Sequence, residues 1–193
     1  VKIATARSKA LAEIPLDQHR LDIEARSLTA FEPGGALDRV GEASIRPPHP
    51  LDCDESRHIL VMEDVGRVPH LGTWLSKARG KIDTSIAAQH GQLLGRFVAN
   101  LHWESFADPE LAVEFDNSAL HCSRLKFHYG AVREMCMEAG VSDAEEMAKK
   151  AATVGEQLQS PGICVIHGNL WLPSILVAKD GLRVIDWQLT HFG

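Results

Sequence analysis

Lys2, Glu24 and Asp186 are the charged residues whose placement suggests chemistry. Glu24 shares a helical face with Leu21 and Leu28, where a lone carboxylate must be buried or partnered. Lys2 offers that partner from a strand, and a strand lysine held by a helix glutamate can grip nucleotide phosphates. A polar loop, His167-Gly168-Asn169, follows an apolar run and precedes Leu170-Trp171-Leu172-Pro173-Ser174. Asp186 ends the second strand of a hairpin, in Val184-Ile185-Asp186-Trp187. Pairing Ile175–Ala178 with Leu182–Ile185 returns Asp186 to the side of the 167–174 loop. Such an acid and loop can hold a metal on one side and an acceptor hydroxyl on the other. A plain hairpin with a capping aspartate accounts for Asp186 alone, but not for the loop before it.

The elements that position these residues can be read from periodicity. Val1–Ala4 is the end of a strand. Leu16–Phe31 is a helix carrying Leu21, Ala25 and Leu28 on one face, ended by Pro33-Gly34-Gly35. Residues 32–58 are loop-rich, with Pro47, Pro48 and Pro50 leaving room for one short strand. His58–Met62 reads as a buried strand, and Glu63-Asp64 with Gly66 as a linker. Ile82–His102 is a long amphipathic helix with Ile86, Leu93, Leu94, Phe97, Val98 and Leu101 on one face. A helix over Leu125–Ala139 stops at Gly140. Ser142-Asp143-Ala144-Glu145 reads as a capping box opening a third. That helix carries Ala144, Met147, Ala151, Val154 and Leu158 on its apolar face, and pairs Glu145 with Lys149 and Glu146 with Lys150. Ile163–Ile166 is a strand, and Asp180-Gly181 marks the turn of the last hairpin. The expected class is α+β, with a small sheet lobe and a helical lobe.

In this order the pieces resemble the aminoglycoside phosphotransferase and choline kinase family. "VIHGNLWLPSILVAKDGLRVIDWQ" is similar to its catalytic segment, usually His-Gly-Asp-x-x-x-x-Asn followed by Ile-Asp-Trp or Ile-Asp-Phe. "VKIA" resembles its phosphate-binding lysine strand, "RLDIEARSL" its glutamate helix, and "HILVMEDVG" its hinge. "LLGRFVANLH" resembles the helix beneath the catalytic loop. The resemblance implies a protein-kinase-like two-lobed fold: an incomplete antiparallel sheet lobe with hinge over 1–65, and a helical lobe with the catalytic hairpin over 66–193. It implies transfer of the γ-phosphoryl group of ATP to a hydroxyl of a small molecule, with Mg2+. Lys2 would contact nucleotide phosphates, Glu24 would orient it, and backbone groups from Met62 through Glu63 and Asp64 to Val65 would read adenine. Asp186 would bind Mg2+, and His167 would be structural in the catalytic loop.

Two positions depart from the pattern. The catalytic aspartate falls on Asn169 and the metal-binding asparagine on Ser174. A carboxamide cannot accept the acceptor's proton, and a positioned base typically contributes about 10²–10⁴-fold. Ser174 keeps a hard oxygen that Mg2+ accepts. The family's glycine loop and C-terminal helical part are absent, and the chain reads as cut through a domain at both ends. A pseudokinase that binds nucleotide or a partner is therefore the alternative.

Composition excludes other classes. The 193 residues are 45% hydrophobic and 24% charged, which is a globular balance. A net charge of -6 gives no electrostatic footprint for nucleic acid or an anionic membrane. No apolar run approaches the about 20 residues of a membrane span, and no secretory signal opens the chain. Cys53, Cys122, Cys136 and Cys164 are scattered, as expected of reduced thiols in a cytoplasmic protein. Ten histidines, His121 and His128 among them, show no convincing metal-ligand spacing. Glu104, Asp108, Glu110, Glu114 and Asp116 would suit a cationic acceptor, but a solvated acidic face explains them better.

Overall fold

The structure is a computed structural model that describes residues 1–6, 17–77, 84–158 and 162–193. The architecture is mixed α+β with small sheets. Strands β1 (Lys2–Ile3), β3 (Pro50–Asp54) and β4 (Ile59–Met62) form an antiparallel sheet in the order β1-β4-β3. Lys2 lies opposite Leu60 in that register, and its side chain reaches Glu24 on helix α1 (Arg20–Ala30). Leu21 and Leu28 on α1 are buried, as their spacing predicts, and Ala25 lies with them in the core. Leu16, where the sequence places the helix start, lies outside the described residues, and the helix itself opens at Arg20.

The loop-rich stretch holds two strands rather than one, β2 (Ile45–Arg46) and β3. Proline is tolerated at Pro50 because it is the first residue of its strand. β2 does not join the first sheet. It pairs in parallel with β7 (Gly181–Val184), which pairs antiparallel with β6 (Ile175–Ala178). The hairpin turn itself is Lys179-Asp180, with Gly181 as the first strand residue at φ 140°. A side chain at Gly181 would run into the Ser44 carbonyl, so only glycine lets β2 and the hairpin close up.

Helices α2 (Leu71–Lys77), α3 (Thr84–Glu104), α4 (Pro109–Glu114), α5 (Ser118–Gly130), α6 (Val132–Glu138) and α7 (Ala144–Gln157) follow, with strands β5 (Val165–Ile166) and β8 (His191–Phe192) pairing late in the chain. Ile82 lies outside the described residues. Phe97 and Leu101 on α3 are buried, and Ser105 just beyond it accepts a hydrogen bond from Val165 N at 2.8 Å. That bond fixes α3 to the strand entering the 167–174 loop. The Leu125–Ala139 helix is interrupted: α5 and α6 divide at Ala131, although Gly140 does stop α6, at φ 72°. The capping box does not form. Asp143, not Ser142, is the N-cap residue, and its side chain makes no capping bond. Of the expected surface pairs only Glu146–Lys150 is seen among the described residues, since Glu145 pairs with Arg133. The apolar stripe of α7 is half open, with Met147, Val154 and Leu158 exposed. Sequence periodicity did not reveal α2, α4 or β8, each too short to show a repeat.

One apolar cluster links both ends of the chain. It runs from Ala4, Leu28 and Leu60 to Phe97, Ile175, Val184 and Trp187. Among the described residues, no helix is long and apolar enough to cross a membrane.

Candidate functional site

Trp187 is the anchor of the site. It is fully buried, its indole N–H donates to Val184 O at 2.8 Å, and its ring packs against Phe31, Phe97 and His167. Burying the residue after Asp186 forces the aspartate to turn. Asp186 adopts φ 66° and ψ 52°, a left-handed conformation that few non-glycine residues take and that aspartate tolerates best. The turn presents its carboxylate to Lys2.

The expected ion pair between Lys2 and Glu24 is present. Lys2 Nζ lies 2.6 Å from Glu24 Oε2 and 2.8 Å from Asp186 Oδ1. Glu24 is 2% exposed, and the backbone N–H of Trp187 also supports it. Two carboxylates thus share one ammonium, leaving the group one negative charge in excess. Burial pulls the Lys2 pKa down, but Glu24 and Asp186 together overcome it, and the lysine stands above its ordinary value. Burial raises the Glu24 carboxyl against the opposing pull of Lys2, with Asp186 adding to the rise.

This trio forms one wall of a cleft of about 280 Å³. Met62 at the end of β4 and Glu63, Asp64, Val65 and Gly66 beyond it line the same cleft. The sequence-predicted nucleotide residues Lys2, Glu24 and Met62–Val65 therefore meet Asp186 in one concavity. Glu63 stands apart within it. Its N–H donates to His49 O, and its carboxylate takes a forked pair of bonds from Arg46 at 2.6 and 2.9 Å. The Arg46 bond, with a further one from His49 N, holds the Glu63 carboxyl at about 2 against the cost of burial. Its role is to tie the linker to the end of β2.

None of the residues of the 167–174 loop lines that cleft. His167 is buried and its Nε2 donates to Ile185 O at 3.0 Å, while Nδ1 accepts from Asn169 N at 3.2 Å. Both ring nitrogens are used by a neutral imidazole, and burial lowers its pKa to about 4, opposed by the Ile185 bond and by Asp186. Gly168 holds φ 75°, and a side chain there would strike the Leu189 carbonyl. Ser174 is fully buried. Its hydroxyl donates to Trp171 O at 2.8 Å and accepts from Trp171 N at 3.0 Å, closing the loop on itself. Ile185 N then donates to Ser174 O at 2.9 Å, which sets Asp186 beside the loop as the hairpin register predicts.

The acidic group has a structural explanation in part. Asp108 caps α4 through Glu110 N and Leu111 N, and Asp116 accepts from Ser118 N at the start of α5. Sequence spacing also gave no hint of a His19, Asp22 and His58 grouping that the fold assembles at the start of α1. The comparisons add no relative: no family model and no curated protein matches this chain.

Proposed function

We propose that the cleft binds ATP with Mg2+, in a protein-kinase-like fold of the aminoglycoside phosphotransferase type, for transfer of the γ-phosphoryl group to a small-molecule hydroxyl. The observation that carries the reading is the convergence of Lys2, Glu24, Asp186 and the 62–66 linker on one concavity. An ammonium held by a buried carboxylate suits phosphate oxygens. The linker lines the same concavity, and its main-chain groups would read the purine.

The residues fit a hard cation through Asp186. Its carboxylate is partly exposed, lines the cleft, and belongs to a group with one excess negative charge. Mg2+ commonly needs only one or two protein carboxylates, with waters and phosphates completing its shell. When bound it would neutralise charge on the transferring phosphoryl group. Lys2 would exchange a carboxylate partner for phosphate, and Glu24 would keep it in place. Asn169 would orient an acceptor hydroxyl without taking its proton.

A second reading, nucleotide binding without turnover, is favoured by two observations: Asn169 stands where the base belongs, and the Ser174 hydroxyl is committed to Trp171. Calorimetry of ATP with the whole chain, with and without Mg2+, tests both. The expected result is Mg2+-dependent binding that loses its Mg2+ dependence in Asp186→Asn. No heat in either condition overturns the nucleotide reading altogether.

A further inference from the structure

A second group of ligating side chains lies away from the cleft. His19 is the N-cap residue of α1 and Asp22 sits in its first turn, while His58 closes the turn between β3 and β4. One ligand atom from each lies within 4.8 Å of the others, the only such trio among the described residues. The two imidazoles meet edge-on with centroids 5.4 Å apart. His19 Nδ1 is 2.8 Å from Asp22 Oδ2, and an ordinary ion pair explains that contact. It does not explain the remaining atoms. Asp22 Oδ1 and His58 Nδ1 are both buried with no hydrogen-bond partner. Buried polar atoms without partners are rare because each forfeits its hydration for nothing. His58 is held left-handed, at φ 52° and ψ 52°, where it ends the turn and its carbonyl accepts from Ala4 N.

We infer that His19, Asp22 and His58 form a site for a divalent transition-metal ion of the Zn2+ class. Two imidazoles and one carboxylate are a donor set suited to zinc, and three protein ligands leave a fourth position for water. His19 is exposed and gives the ion a path from solvent. Asp17 and Glu55 add negative potential there, as their effect on His19 shows. Ligation engages one atom of each residue and requires a proton-free nitrogen on both imidazoles. The site is independent of the nucleotide reading, yet it bears on the same helix: α1 carries Asp22 and Glu24 alike. A bound ion ties the start of α1 to the β3–β4 turn and so holds the helix that positions Lys2.

The test is competition for Zn2+ between the whole chain and a chromophoric chelator, with Co2+ absorption as a readout of ligand geometry. One tight Zn2+ per chain is expected, unchanged in Asp186→Asn and in the exposed control His102→Ala. His19→Ala and His58→Asn should each weaken it by more than the about 10–100-fold that loss of an outer-shell partner costs. Asparagine tolerates the left-handed backbone at 58, and circular dichroism checks that the variants fold. Should His58→Asn fail to fold, His19→Ala at its exposed position decides. No stoichiometric Zn2+ in the parent chain, or full affinity in a folded variant of either histidine, overturns the site.

Discussion

The wall of the cleft and the loop behind it are built from similar residues and use them in opposite ways. At Lys2, Glu24 and Asp186 the polar groups meet one another across distant parts of the chain, with Glu24 buried and Lys2 and Asp186 partly open at the cleft. At His167, Gly168, Asn169 and Ser174 the polar groups mostly turn inward, onto backbone within the loop or the adjacent hairpin strand. The first arrangement leaves two partly exposed charged groups on a cleft. The second is organised for a shape, and it keeps that shape although the residue expected to do chemistry is a carboxamide. Under the proposed reading, left-handed backbone at Asp186 and Gly168 without the base would separate two tasks, holding the donor and activating the acceptor.

Asn169→Asp is the sharpest way to probe that separation. If the loop has lost only its base, the aspartate should raise Mg2+-dependent ATP consumption by about 10²–10⁴-fold, or roughly 3–5 kcal/mol of barrier, against a panel of amino and hydroxy compounds. ATP affinity should stay within a small factor, because the residue is not on the cleft wall. An unchanged rate with binding intact would leave nucleotide binding as the activity of the cleft.

The next largest effect belongs to His167 and is read as stability. Its imidazole is neutral in the fold with a pKa near 4, against 6.5 for a free histidine. Above pH 6.5 both states are neutral and the loop keeps its full contribution. As pH falls from 6.5 to about 4 the unfolded chain gains a proton that the fold refuses, so stability is lost over that window. The gap corresponds to about 3 kcal/mol at about 1.36 kcal/mol per pH unit. Urea denaturation between pH 7 and 4 should therefore show a shallower decline in His167→Gln than in the parent. Equal slopes would mean that the imidazole is not held neutral.

How much of this was legible in the sequence depended on the range of the interaction. Leu21, Leu28, Phe97 and Leu101 announced their burial by helical spacing, but spacing alone did not decide it, since Ile86 on the face of Phe97 and Met147 on α7 are exposed. The Lys2–Glu24 pair was legible because a carboxylate on an apolar face demands a partner. The division of α5 from α6 at Ala131 was not read, although Gly130 stands just before it, because an isolated glycine is tolerated inside a helical pattern and need not end one. Nor was the parallel pairing of β2 with β7, because a two-residue strand has no readable pattern. Asp143 took the capping place of Ser142 by a one-residue shift that the motif could not discriminate. The role of Glu63 was hidden because the linker suggested backbone contacts, whereas its side chain binds Arg46 across the fold.

Gly168→Ala tests whether the loop's shape is under strain that only glycine relieves. A methyl group would meet the Leu189 carbonyl, and the residue would have to keep φ 75°. A destabilisation of about 1–3 kcal/mol in urea is expected, with ATP affinity changing less than stability does. A neutral substitution would show that the Leu189 segment yields, and that the loop is not fixed by this contact.

The smallest effect should come from Glu63, and it separates lining the cleft from serving it. The residue borders the same space as Lys2, yet its carboxylate faces Arg46 and the N–H of His49. Glu63→Gln keeps the size and removes the charge, so ATP affinity should hardly move. Stability should fall by only about 1 kcal/mol, because the pair is partly exposed and solvent screens much of it. The pH dependence gives the sign. The folded carboxyl titrates near 2 and the free one near 4.5, so its contribution is present above pH 4.5 and is lost as pH falls toward 2. That window lies below the one set by His167, so the two losses can be told apart in a single titration. Parent and Glu63→Gln should differ by a constant amount above pH 5 and converge toward pH 2. A large loss of ATP affinity in the glutamine variant would instead place the Glu63 charge in the binding site and erase the distinction between the cleft's working wall and its frame.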